Sequence, residues 1–157
     1  METSIEIKEL PEIKLIGITN IGELEKAPEA YAQLLKWANE NTTLGPSKTK
    51  LLTIYHDNPR ITHMSKVRWS ACITIEKEVT TDGEIRQISI SKGHYAIGHF
   101  EIEPIQFEQA WASVLSWVKQ NGYQFGDHDY FELYHNDNRT HPEHKFIVDI
   151  CVPIKEQ

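Results

Sequence analysis

The sequence predicts an α+β fold made of two strand-helix-strand-strand units related by an internal pseudo-two-fold. Three observations carry that prediction: one segment of the chain occurs twice, an amphipathic helical stripe precedes each copy, and a strand candidate precedes each stripe. Together they describe a single domain over residues 1–157 with pseudo-repeats of about 1–78 and 79–157.

The duplication is read by setting "IYHDNPRITHMSKVRWSACITI", from Ile54, above "LYHNDNRTHPEHKFIVDICVPI", from Leu133. At a constant offset of 79, Tyr55, His56, Arg60, Lys66, Cys72 and Ile75 fall on Tyr134, His135, Arg139, Lys145, Cys151 and Ile154 without a gap. Each copy contains two apolar runs separated by a polar turn, the pattern of two strands.

The first strand candidate is "IKLIGIT" from Ile13. A helix follows in "APEAYAQLLKWANEN", where Tyr31, Leu34, Leu35 and Ala38 form one apolar face after Pro28. The charged stretch Glu76 to Gln87 reads as the connection between the halves, a hairpin with its turn at Asp82-Gly83. "GHYAIGHF" from Gly93 opens the second half. In the helix after it, Phe107, Ala110, Trp111, Val114, Leu115 and Val118 keep the i, i+3, i+4, i+7 spacing, with Pro104 where a helix can start. The stretch "YFELYHND", Tyr130 to Asp137, is a strand whose alternation puts Phe131 and Leu133 on a core-like face and Tyr130, Glu132 and Tyr134 on the other.

Composition narrows the function classes. A formal charge of −7 without a Lys/Arg cluster speaks against tracking of nucleic-acid phosphates and favours a cationic ligand or a basic protein surface. The N-terminal "METSIEIKEL" has no signal-peptide pattern, and no run has the length of a membrane span, so a cytoplasmic protein with no membrane partner is expected. Cys72 and Cys151 lie singly in apolar strands and read as buried, reduced thiols. No P-loop, nucleophile elbow or dinucleotide fingerprint is present, and no cofactor is expected.

The order and spacing of "LLTIYHDNPRIT", "KVRWSACITI", "GHYAIGHF", the helix with Trp111, and "YFELYHND" leading to "DICVPI" resemble the GyrI-like small-molecule-binding domain. That domain also serves as the effector-binding domain of some AraC- and MerR-type regulators. The resemblance covers nearly the whole chain. It implies a curved antiparallel sheet with two helices on one face, a ligand cleft on the other at the pseudo-two-fold axis, and a glutamate of the F-E-x-Y strand reaching into the cleft. Here that glutamate is Glu132, and its repeat mate is Thr53. With no room for a helix-turn-helix module, a freestanding domain is expected.

The ligand-binding residues expected on this basis are Glu132 as charge anchor, Tyr130, Tyr134 and Tyr55 as aromatic walls, Thr53 beside them, and Trp111 and Trp69 from the helix and the neighbouring strand. The implied function is binding of a cationic or amphipathic aromatic small molecule, to sense or sequester toxic compounds. Two alternatives follow from the same resemblance: modulation of DNA gyrase by protein contact, and hydrolysis of cyclopropane-bearing genotoxins with Glu132 as the acid. Among eight histidines, His135, His141 and His144 sit in a polar loop that needs no metal, and His94 and His99 face opposite sides of one strand. No metal site is expected.

Overall fold

The computed structural model describes residues 4–42, 49–58 and 60–155. The strands within them are β1 Ser4–Leu10, β2 Ile13–Ile21, β3 Leu51–Tyr55, β4 Arg68–Thr74, β5 Arg86–Ile90, β6 Gly93–Ile102, β7 Tyr130–Tyr134 and β8 Phe146–Pro153. The helices are α1 Ala27–Asn41 and α2 Phe107–Gln120. The architecture is α+β with antiparallel strand pairs, and the strand-helix-strand-strand order occurs twice, as β2-α1-β3-β4 and β6-α2-β7-β8.

Two compact units result: Glu12–Ile90 forms one, and Ser91–Gln157 with Met1–Pro11 forms the other. In the Glu12–Ile90 unit the strand order is β3-β4-β2-β5. Pro28 sits in the first turn of α1, where its missing N–H is no loss, and Ala30, Leu34 and Ala38 make the buried stripe. That stripe closes on Ile16, Ile18, Ile73 and Ile85.

The other unit has the order β1-β6-β8-β7, and α2 packs on β6 and β8. The chain enters α2 through a 3-10 turn, Pro104–Gln106, in which Glu103 N–H donates to Gln106 Oε1 at 2.9 Å. The stripe is Ala110, Val114 and Val118, and burying each valine is worth about 1.5–3 kcal/mol. Gly98 of β6 lies under this helix. A Cβ there would stand 2.6 Å from Val114 Cγ2 and 2.7 Å from Phe100 Cε2, so only glycine lets α2 approach so closely.

Two strands lie outside the elements the sequence predicts. Ser4–Leu10 pairs along its length with β6, from Ser4 opposite His99 to Leu10 opposite Gly93, and its signal was the alternation of Ile5 and Ile7 with charged neighbours. Arg86–Ile90, whose first residues fall in the expected connection, pairs with β2. The turn at Asp82-Gly83 exists: Gly83 has φ +61° and Ile85 N–H donates to Asp82 O at 3.1 Å. It does not close a hairpin, because β4 and β5 each pair with β2 on its opposite edges. Cys72 and Cys151 are both buried, as expected. No helix among the described residues is long and apolar enough to cross a membrane.

Candidate functional site

Strand β7 alternates as its sequence demands. Phe131 is fully buried and meets Tyr95 edge-on, with ring centroids 5.6 Å apart. Glu132 points to the opposite side, in register with Ile150 of β8, which is in turn opposite Gly98 of β6. Gly98 faces Val114, so Glu132 lies on the sheet face that α2 covers. The family resemblance implies a cleft for this acid on the face away from the helices. Alternation separates Phe131 from Glu132 but carries no information on which side receives a helix, and both of these residues are buried here.

Glu132 is only 4% exposed. Trp111 Nε1–H of α2 donates to Oε2 at 2.6 Å, and the Tyr134 hydroxyl donates to Oε1 at 2.7 Å. These short bonds to a charged acceptor are of the strong class, and they offset part of the cost of taking a carboxylate out of water. The donors also fix its direction. The Trp111 ring stacks on Tyr130 at 6.4 Å and 28°, while Tyr134 leans on Phe146, which meets Phe107 edge-on at 5.3 Å. A buried carboxylate thus stands beside a cluster of aromatic rings, held by the indole N–H of one and the hydroxyl of another.

The fold brings Glu132, Trp111, Tyr130 and Tyr134 together in one unit. Thr53, Tyr55 and Trp69 belong to the other unit. Thr53 is 3% exposed, and the Tyr31 hydroxyl of α1 lies 2.7 Å from its Oγ1 and also hydrogen-bonds Leu52 O. Tyr55 is buried at the end of β3. Trp69 is fully buried, and its Nε1–H donates to Gly22 O at 2.6 Å, which places it in the core of that unit. The sequence uses Tyr31 only as a helix-stripe residue. Its signal was the duplication itself, since Tyr31 stands 80 residues before Trp111 in the two helices, one more than the 79 that separate Thr53 from Glu132 in the strands.

Cys151, opposite Phe131, is no nucleophile in waiting. Burial pushes its thiol well above the usual range, and the charges of Asp149 and Glu132 add to that.

The fold defines an α+β domain of two strand-helix-strand-strand repeats. The chain belongs to the GyrI-like small molecule binding domain family, whose description matches residues 3–155. It is similar to the DNA gyrase inhibitor of Pectobacterium carotovorum subsp. carotovorum (strain PC1), at 28% identity over 76% of this chain and 79% of that one. Among solved structures it superposes on the EcmrR C-terminal domain with a TM-score of 0.81 and 17% identity, covering all of both chains. It spans 58% of the longer EcmrR chain seen in a complex with DNA. SAV2435 bound to tetraphenylphosphonium is also similar, with a TM-score of 0.58 and 15% identity over 97% of this chain and 94% of that one.

Proposed function

We propose that the protein binds amphipathic, aromatic organic cations at Glu132 and thereby senses or sequesters toxic compounds. The observation that carries this reading is the carboxylate at 4% exposure, aimed by Trp111 and Tyr134 and walled by Tyr130. A buried charge among rings attracts a partner that is both cationic and apolar, because such a ligand brings the opposite charge with little hydration to lose. Tetraphenylphosphonium, the molecule bound to SAV2435, has this chemistry.

Calorimetric titration with tetraphenylphosphonium and with neutral triphenylphosphine oxide tests it. The wild type is expected to prefer the cation, and Glu132→Gln to weaken the cation by about ten- to a hundredfold, as for a charge contact of about 1.5–3 kcal/mol. The neutral compound should change little. Equal affinities for the cation in both proteins would overturn the reading.

A second reading, contact with DNA gyrase, is favoured by the name of the Pectobacterium relative. Inhibition of gyrase supercoiling by the purified protein would support it, and inhibition retained in Glu132→Gln would separate it from ligand binding.

A further inference from the structure

On the opposite sheet face from Glu132, side chains from β6, from β8 and from the residue just after β7 converge. His99 of β6 pairs directly with Asp149 of β8, and Leu133 of β7 is opposite Asp149 from the other side. His135 lies two residues beyond Leu133, and its backbone N–H still bonds Ile147 O at 2.8 Å, which keeps its side chain on the same face. His99 Nδ1 is 2.6 Å from Asp149 Oδ1, and His135 Nε2 is 2.8 Å from Asp149 Oδ2. The sequence groups His135 with His141 and His144; strand pairing brings it to His99 and Asp149 instead.

We infer that His99, His135 and Asp149 form a binding site for a divalent transition-metal ion of the zinc type. Two imidazoles and one carboxylate are a recurrent donor set for such ions, and three protein ligands leave further positions for water. The donor atoms all lie within 4.8 Å of one another. An ion with bonds of about 2.0–2.2 Å holds its donors roughly 3.3–3.5 Å apart, so it takes the place of the two His–Asp149 hydrogen bonds, each ligating nitrogen giving up its proton, and modest side-chain rotation sets that spacing. The side chains of His99 and His135 are 55% and 31% exposed, so the ion has access and the rings have room to turn.

The other unit supplies the comparison that separates a metal site from an ordinary tie between strands. At the equivalent repeat positions stand Thr19, His56 and Ser70, with Thr19 Oγ1 and His56 Nε2 each 2.6 Å from Ser70 Oγ. Hydroxyls therefore suffice to join these strands. Only the unit with β6 and β8 carries two imidazoles and a carboxylate there, and that is the change that creates metal affinity.

The test is titration of the chelator-stripped full chain with zinc chloride, followed by calorimetry, and with cobalt(II), followed by its visible absorption. One saturable equivalent is expected, with zinc raising the melting temperature. Asp149→Ser and His99→Thr install the hydroxyls that the other unit already carries, so the fold is expected to persist, checked by circular dichroism in EDTA. Each should weaken zinc by at least about tenfold, while His144→Ala, at an exposed position outside the cluster, should leave it unchanged. Absence of saturable binding, or binding unaltered by Asp149→Ser and His99→Thr, would overturn the inference.

Discussion

Trp111 directs its indole N–H at Glu132 across 2.6 Å, joining the exposed-to-buried boundary of α2 to the middle of β7. Tyr31 and Thr53 repeat the relation in the other unit, at 2.7 Å. One device, a helix aromatic hydrogen-bonded to a strand residue, is thus built twice, once around a carboxylate and once around a hydroxyl. The duplicated scaffold accounts for the position, and the single acid accounts for the charge.

Glu132→Gln should fold nearly as well as the wild type. The glutamine oxygen can accept from Trp111, and the Tyr134 hydroxyl can rotate to accept from the new amide. Glu132→Leu removes the acceptor of both donors and is expected to cost about 1–3 kcal/mol. Denaturant unfolding of the two variants side by side checks this, and equal losses would show that the hydrogen bonds do not matter to stability.

Gly98→Ala should destabilise by about 1–3 kcal/mol through overpacking against Val114 and Phe100. Because the same helix carries Trp111, the substitution should also weaken binding of tetraphenylphosphonium. A variant with unchanged midpoint and affinity would mean that α2 is free to move outward.

Asp57 sets an acid-side dependence. Hydrogen bonds from the Arg68 side chain, then from its backbone N–H, lower the carboxyl to about 2. Its unfolded value is about 3.9, so the stabilisation is present above that pH and is lost as pH falls toward 2. Asp57→Asn should flatten the stability profile in that window and leave its slope near neutrality alone. Carbon-detected NMR titration of the Asp57 carboxyl gives the value directly.

Tyr95 marks the alkaline side. Burial raises its hydroxyl to about 12, with the negative charge of Asp129 adding to the effect, and the group donates to Ser91 O at 2.7 Å. A raised folded value means stability that is whole below about 10 and is lost as pH rises through 12. Ultraviolet titrations of the wild type and of Tyr95→Phe should differ by one phenol that ionises late.

The tandem strand-helix-strand-strand order and both helix stripes were legible in the sequence because each rests on a local, periodic or repeated pattern. Pro28 and Pro104 marked the helix entries, and the offset of 79 aligned Thr53 with Glu132 before any strand was paired. Tertiary structure alone decided the rest. That Ser4–Leu10 would join β6, that Glu132 would face α2, and that His99, His135 and Asp149 would meet depend on which strands lie side by side and in what register. Alternation divides a strand's side chains into two sets without saying which set meets the helix. Residues 36 and 50 positions apart become neighbours only when backbone hydrogen bonds between strands bring them there.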